Sequence, residues 1–167
     1  MHTPIPTTVA SPEPQRRKPM LLLTAALIVT VLFMFSCASR GKQPPGLVDG
    51  HLAPCPASPN CVSSEQSDNK VFTPPLPFDG EADVAWETLK QLITQHGGTI
   101  QQDEGIYLWA TFSSRLFRFI DDVEFRLDPA NQCIHVRSAA RVGYSDLGVN
   151  RKRVETLRRA FTHTSNR

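Results

Sequence analysis

The sequence predicts an α+β domain, an antiparallel β meander of three to four strands packed by two helices, behind an N-terminal membrane-targeting segment. Three observations predict it. Arg16-Arg17-Lys18 opens onto an uncharged apolar run from Met20 to Ser36. Further on, two stretches repeat apolar residues at three and four, and the chain between them alternates apolar with polar residues. Helix, meander, helix is a two-layer pattern, and 167 residues suffice for one such domain with extras.

Composition narrows the class. Hydrophobic residues make up 40% and charged residues 20%, with 14 Pro and 9 Gly, which excludes a collagen-like, wholly disordered or multi-spanning chain. Lys plus Arg number 18 against 16 Asp plus Glu, and this balance of +2 offers no case for nucleic acid. Four Cys are too few to build the fold from disulfides, so a core must carry it.

Residues 1–19 form a polar n-region ending in the basic cluster, and residues 20–37 form a hydrophobic signal or anchor. As a helix the apolar run is about 26 Å long, just short of a bilayer core of about 30 Å. The basic flank holds the amino end inside and sends the rest outward. Met34-Phe35-Ser36-Cys37 resembles a bacterial lipoprotein signal, which makes Cys37 the lipidation candidate; an uncleaved helix and a plain secretory signal are the alternatives. All three place the remainder on the exported side of a bacterial cell envelope, and the first two make the membrane a partner. Residues 38–54, with Pro44, Pro45 and several Gly, read as a tether.

The domain is assigned to residues 55–163. It opens with Cys55-Pro56-Ala57-Ser58-Pro59-Asn60-Cys61, whose prolines bend the chain between two thiols. Export makes a disulfide the default, worth about 2 to 3 kcal/mol for so short a loop; a redox pair and a metal site are the other readings. Cys133 is then left unpaired, as a partly buried thiol.

Ala82, Ala85, Trp86, Leu89, Leu92, Ile93 and His96 predict an amphipathic helix, with Asp79 as cap, Gly97-Gly98 as stop and His96 on the apolar side. Strands are predicted at 99–102, 106–112, 119–127 and 132–140. Ile106, Leu108, Ala110 and Phe112 alternate with Tyr107, Trp109 and Thr111, and Val123, Phe125 and Leu127 alternate with Asp122, Glu124 and Arg126. One face is core; the other, with Tyr107 and Trp109 exposed, is polar. A four-residue loop 128–131 sets Leu127 opposite Gln132, Phe125 opposite Ile134, Glu124 opposite His135, Asp122 opposite Arg137 and Asp121 opposite Ser138. A second helix from about Leu147 to Thr162 follows, capped by Ser145 or Asp146, with Leu147, Val154, Leu157 and Phe161 on its stripe. Asn150 also falls on the stripe, where a buried amide needs partners: loop backbone or Asp146.

Three strings, Cys55 to Ser64, Phe119 to Phe125 and Val136 to Glu155, together resemble the bacterial family called domain of unknown function 1499, over about Leu47 to Phe161. The resemblance implies a membrane-anchored or lipoprotein member and brings no activity.

Arg115, Arg118, Arg137, Arg141, Arg151 and Arg153 converge with Asp121, Asp122, Glu124 and Asp146 if the second helix packs across the meander. Either these charges pair off to fix the fold, or the basic excess is left for an anionic ligand or partner. The second option gives the candidate ligand-binding set Arg137, Arg141, Tyr144, Asp146, Asn150, Arg151, Arg153, Asp121, Asp122 and Glu124. No catalytic residue, metal or cofactor is assigned. The expected function is a small envelope binding module for an unknown ligand or protein; the alternatives are a hydrolase using Asp121 or Asp122 with Ser138, or a purely structural envelope protein.

Overall fold

The structure is a computed structural model that describes residues 17–38, 43–114 and 119–165. Its elements are α1 (Arg17–Ala38), β1 (Leu47–Val48), β2 (His51–Leu52), β3 (Cys61–Ser63), β4 (Leu76–Pro77), α2 (Ala82–Gln95), β5 (Thr99–Glu104), β6 (Tyr107–Ser113), β7 (Ile120–Asp128), β8 (Cys133–Ala140) and α3 (Val149–Ser165). The α+β class is as the sequence predicts, but the sheet has more strands. Strands β5 to β8 form the meander, and β3 and β4 both pair antiparallel with the free edge of β8. Strands of two or three residues are too short to show a period, yet they cover an edge that would otherwise stay open.

Helix α1 holds the apolar run. Among the described residues no helix is long and apolar enough to cross a membrane. The side chain of Cys37, and Arg115 and Arg118, lie outside the described residues.

Helices α2 and α3 cover one face of the sheet. Ala85, Trp86, Leu89, Leu92 and Ile93 of α2 and Val154, Leu157 and Phe161 of α3 pack on Leu108, Val123, Phe125, Ile134 and Val136. Asp79 is not the cap. Gly80, at φ +87°, turns the chain after it, and Glu81 becomes the N-cap without a side-chain bond. His96 is exposed rather than on the apolar side, because it is the C-cap and Gly97 at φ +84° already leaves the helical path. A Cβ on Gly98 would lie 2.6 Å from the Phe112 ring, so only glycine lets the turn approach the sheet.

The β7–β8 register is displaced by two residues from the expectation. Leu127 pairs with Ile134, Glu124 with Arg137, Arg126 with His135 and Val123 with Ser138. The turn is four residues long as predicted, but it begins one position later. Asp128 stays in the strand as the turn's first residue, its Oδ1 accepting the Asn131 N–H at 3.2 Å, and Gln132 takes the left-handed position at φ +46°. A shift of two keeps both faces and exchanges the partners. Ile106, expected in the core, lies in the β5–β6 turn and is exposed.

The polar face is covered too. The β1–β2 hairpin, turned by Asp49 (φ 51°) and Gly50 (φ 80°), lays Leu47 and Leu52 on Tyr107 and Trp109, which are buried rather than exposed. The packed body therefore reaches back into the stretch read as a tether. Cys55 and Cys61 form a disulfide, and Cys133 is a buried free thiol.

Candidate functional site

The predicted charges divide between the two faces of the sheet. On the hairpin side, Glu124 of β7 is fully buried between three donors: Arg137 Nη1 at 2.5 Å from Oε2, Tyr107 Oη at 2.9 Å and the Gly46 N–H at 3.1 Å from Oε1. Burial outweighs these donors and holds its carboxyl above the ordinary glutamate value. Burial, reinforced by the Glu124 charge, pushes the Tyr107 phenol far up as well. Next to them Asp122 accepts a bidentate fork from Arg141, 2.8 Å to each oxygen, and the Trp109 Nε1–H at 2.7 Å. The Arg141 guanidinium also lies over the Trp109 ring, 5.8 Å from its centre.

On the helix side, Asn150 is the joint. Its Oδ1 accepts Ser138 Oγ at 2.5 Å and Arg153 Nη1 at 2.7 Å, and its Nδ2 donates to the Asn60 carbonyl at 3.2 Å. Arg153 also donates to Asp121 Oδ2 at 2.7 Å, and burial, more than that pairing can offset, raises the Asp121 carboxyl. Loop backbone is thus the amide's partner, as expected; Asp146 takes the backbone N–H of Asn150 at 2.7 Å instead. Ser138 faces Asn150, not Asp121.

Gly148 holds the N-cap position of α3, its carbonyl accepting the Lys152 N–H, and Asp146 supports the first turn from two residues before it, also accepting the Gly148 N–H at 3.0 Å. Between β8 and α3 the chain forms a strap, Gly143 to Gly148, in which Gly143, Leu147 and Gly148 all have positive φ. Leu147 is not on the α3 stripe; it is 93% exposed, and Tyr144 is 77% exposed. The strap is nevertheless tied down, because Asn60 Nδ2 donates to the Gly143 carbonyl at 2.6 Å. Beside it opens a cleft of about 310 Å³ bounded by the disulfide loop, Lys70, Asp146 and Arg151. Arg151 closes the cleft by donating to the carbonyls of Phe72 at 2.7 Å and Lys70 at 2.8 Å.

Of the ten candidate residues, then, Glu124, Arg137, Asp122 and Arg141 meet on one face, Asp121, Arg153 and Asn150 on the other. Tyr144, Asp146 and Arg151 border the strap and cleft. The first seven are held in buried or part-buried pairs, so their chemistry is that of positioning. Sequence reasoning missed Asn60, Glu65 and Lys70. Asn60 stands between a proline and a cysteine, where a side chain bonding to backbone is a familiar turn element; Glu65 and Lys70 sit in aperiodic loop and carry no comparable signal.

Residues 51–161 match a family model described as "Protein of unknown function (DUF1499)". Neither the curated proteins nor the solved structures contain a match.

Proposed function

We propose, for a chain that belongs to the DUF1499 family of proteins of unknown function, that it is an exported, membrane-held binding module whose contact surface is the strap between β8 and α3. The observation that carries this reading is Leu147: a leucine in the left-handed region, almost wholly exposed, on a strap braced from below. A branched side chain at positive φ is strained by about 1 to 2 kcal/mol, and its exposure gives the fold nothing in return. Strain of this kind collects where a surface is used, and Tyr144 adds an amphipathic ring beside it. The adjoining cleft carries both signs of charge, Asp68 and Asp146 with Lys70 and Arg151, and Lys70 offers an ammonium for an acidic group on the partner.

In a crosslinking experiment on the full-length chain in cells, a photoreactive residue at Tyr144 is expected to capture a discrete partner. Leu147→Gly is expected to weaken capture at least tenfold while leaving the melting temperature unchanged or slightly raised, since glycine relieves the strain. Capture that survives both Leu147→Gly and Lys70→Glu would refute the strap as the contact surface.

Localisation is part of the proposal. The Cys55–Cys61 disulfide suits an oxidising compartment, and the basic flank before the apolar run suits export. Fatty-acid labelling is expected in the wild type and absent in Cys37→Ser. An unlabelled wild type with its carboxyl end outside the cytoplasm overturns the lipid anchor and keeps export; a carboxyl end in the cytoplasm overturns export.

A further inference from the structure

We propose that Asp128, Cys133 and His135 form a binding site for a divalent metal ion of the zinc type. The placement follows from the register. Cys133 stands directly opposite Asp128 across β7 and β8, and His135, two residues on, projects from the same face. His135 Nε2 lies 3.6 Å from Cys133 Sγ and 3.5 Å from Asp128 Oδ2, and the three donor atoms lie within 4.8 Å of one another. A tetrahedral ion with bonds of about 2.0 to 2.3 Å to oxygen, nitrogen and sulfur separates its ligands by about 3.4 to 3.6 Å. The nitrogen already stands at that separation from both partners, and the sulfur and the carboxylate oxygen, within 4.8 Å of each other, have only to close on the ion.

The donor set selects the ion. One thiolate, one imidazole and one carboxylate suit zinc and its neighbours, whereas calcium and magnesium take oxygen ligands. Three protein donors leave a fourth position for water. A supporting layer is present as well. His135 Nδ1 is 3.2 Å from Ser64 Oγ, which itself accepts the Val136 N–H at 2.8 Å, and 3.9 Å from Glu65 Oε1. An Nδ1–H donated to Ser64 leaves the Nε2 lone pair for the metal, the arrangement that metal-bound imidazoles use.

Charge decides whether the ion is tolerated, because Arg126 Nη2 lies 3.4 Å from Asp128 Oδ2 and 2.5 Å from Glu65 Oε1. With the thiol protonated, Arg126, Glu65 and Asp128 sum to one negative charge. When the dication binds, the thiol proton passes to solvent and the thiolate bonds the metal, so the cluster becomes neutral with no redox change. The ion thus removes a local charge imbalance.

The test uses the full-length chain carrying Cys37→Ala, with Cys55–Cys61 oxidised, so that Cys133 is the single free thiol. After treatment with a chelator, cobalt(II) is titrated as a spectroscopic substitute. One equivalent is expected to bind with a thiolate-to-cobalt charge-transfer band, and zinc is expected to displace it. Cys133→Ser should abolish the band, and His135→Gln and Asp128→Asn should each weaken zinc binding at least tenfold. A cobalt spectrum without the thiolate band overturns the site without recourse to any variant. So does zinc affinity unchanged in His135→Gln.

Discussion

Arg137→Met is expected to destabilise the domain by about 3 to 5 kcal/mol, the usual result of removing one partner from a buried ion pair. Glu124 would keep the Tyr107 hydroxyl and the Gly46 N–H but lose its only cation among the described residues, at a site with no access to water. Chemical denaturation at pH 7 measures the loss. The pH dependence separates this account from simple loss of packing. Burial already raises the Glu124 carboxyl in the folded protein. A group with a raised folded value contributes most below its unfolded value of about 4.3, and that contribution disappears as pH climbs through the folded value. Removing Arg137 raises the folded value further. The variant's deficit should therefore shrink as pH falls from 7 through the raised folded value towards the unfolded one, because Glu124 takes up a proton on the way. A deficit that does not change over that window would mean that the methylene stem of Arg137, not its charge, is what the fold uses.

Asn150→Ala is expected to destabilise by about 2 to 4 kcal/mol, because it strands several groups at once. The Ser138 hydroxyl loses its acceptor, Arg153 one of its two, and the Asn60 carbonyl keeps only the Ala140 N–H. Each unsatisfied buried group adds about 1 to 3 kcal/mol, and the shared network makes the sum less than additive. Asn150→Asp preserves the acceptor for Ser138 and Arg153 but not the donor to Asn60, so it should recover part of the loss. Equal melting temperatures for the two variants would show that the Asn60 bond, rather than the contacts to Ser138 and Arg153, holds α3 to β8.

These residues also mark where the sequence can be read and where it cannot. Alternation assigned the faces of β6, β7 and β8 correctly, since a face depends only on period two. It set the partners two positions off, because the turn's exact start depends on whether Asp128 ends the strand or opens the loop, and either choice leaves the alternation intact. Asn150 was readable as a buried amide from its place among Val154, Leu157 and Phe161. The burial of Tyr107 and Trp109 was not, since the hairpin that covers them has strands of two residues each. The division of the arginines was equally hidden: whether Arg141 meets Asp122 or solvent is decided by which face each strand residue takes and what lies over it. Glu65 shows the limit most plainly. Burial works to raise its carboxyl, yet Arg126, the Leu52 N–H and His51 together hold it below the ordinary value, and none of those partners is near it in a recognisable pattern.

The Gly46 contact has a mechanical consequence. Glu124 in an inner strand of the meander grips the backbone just where the chain enters the domain, and Leu47 and Leu52 pack beside it on Tyr107 and Trp109, so traction on the amino end is delivered to the sheet's interior through this small patch. Pulled from that side, the two-stranded flap would peel away first and the six-stranded sheet would yield later. Its detachment would wet the Glu124 pocket, giving the protein a weak first link that reports strain before the body gives way.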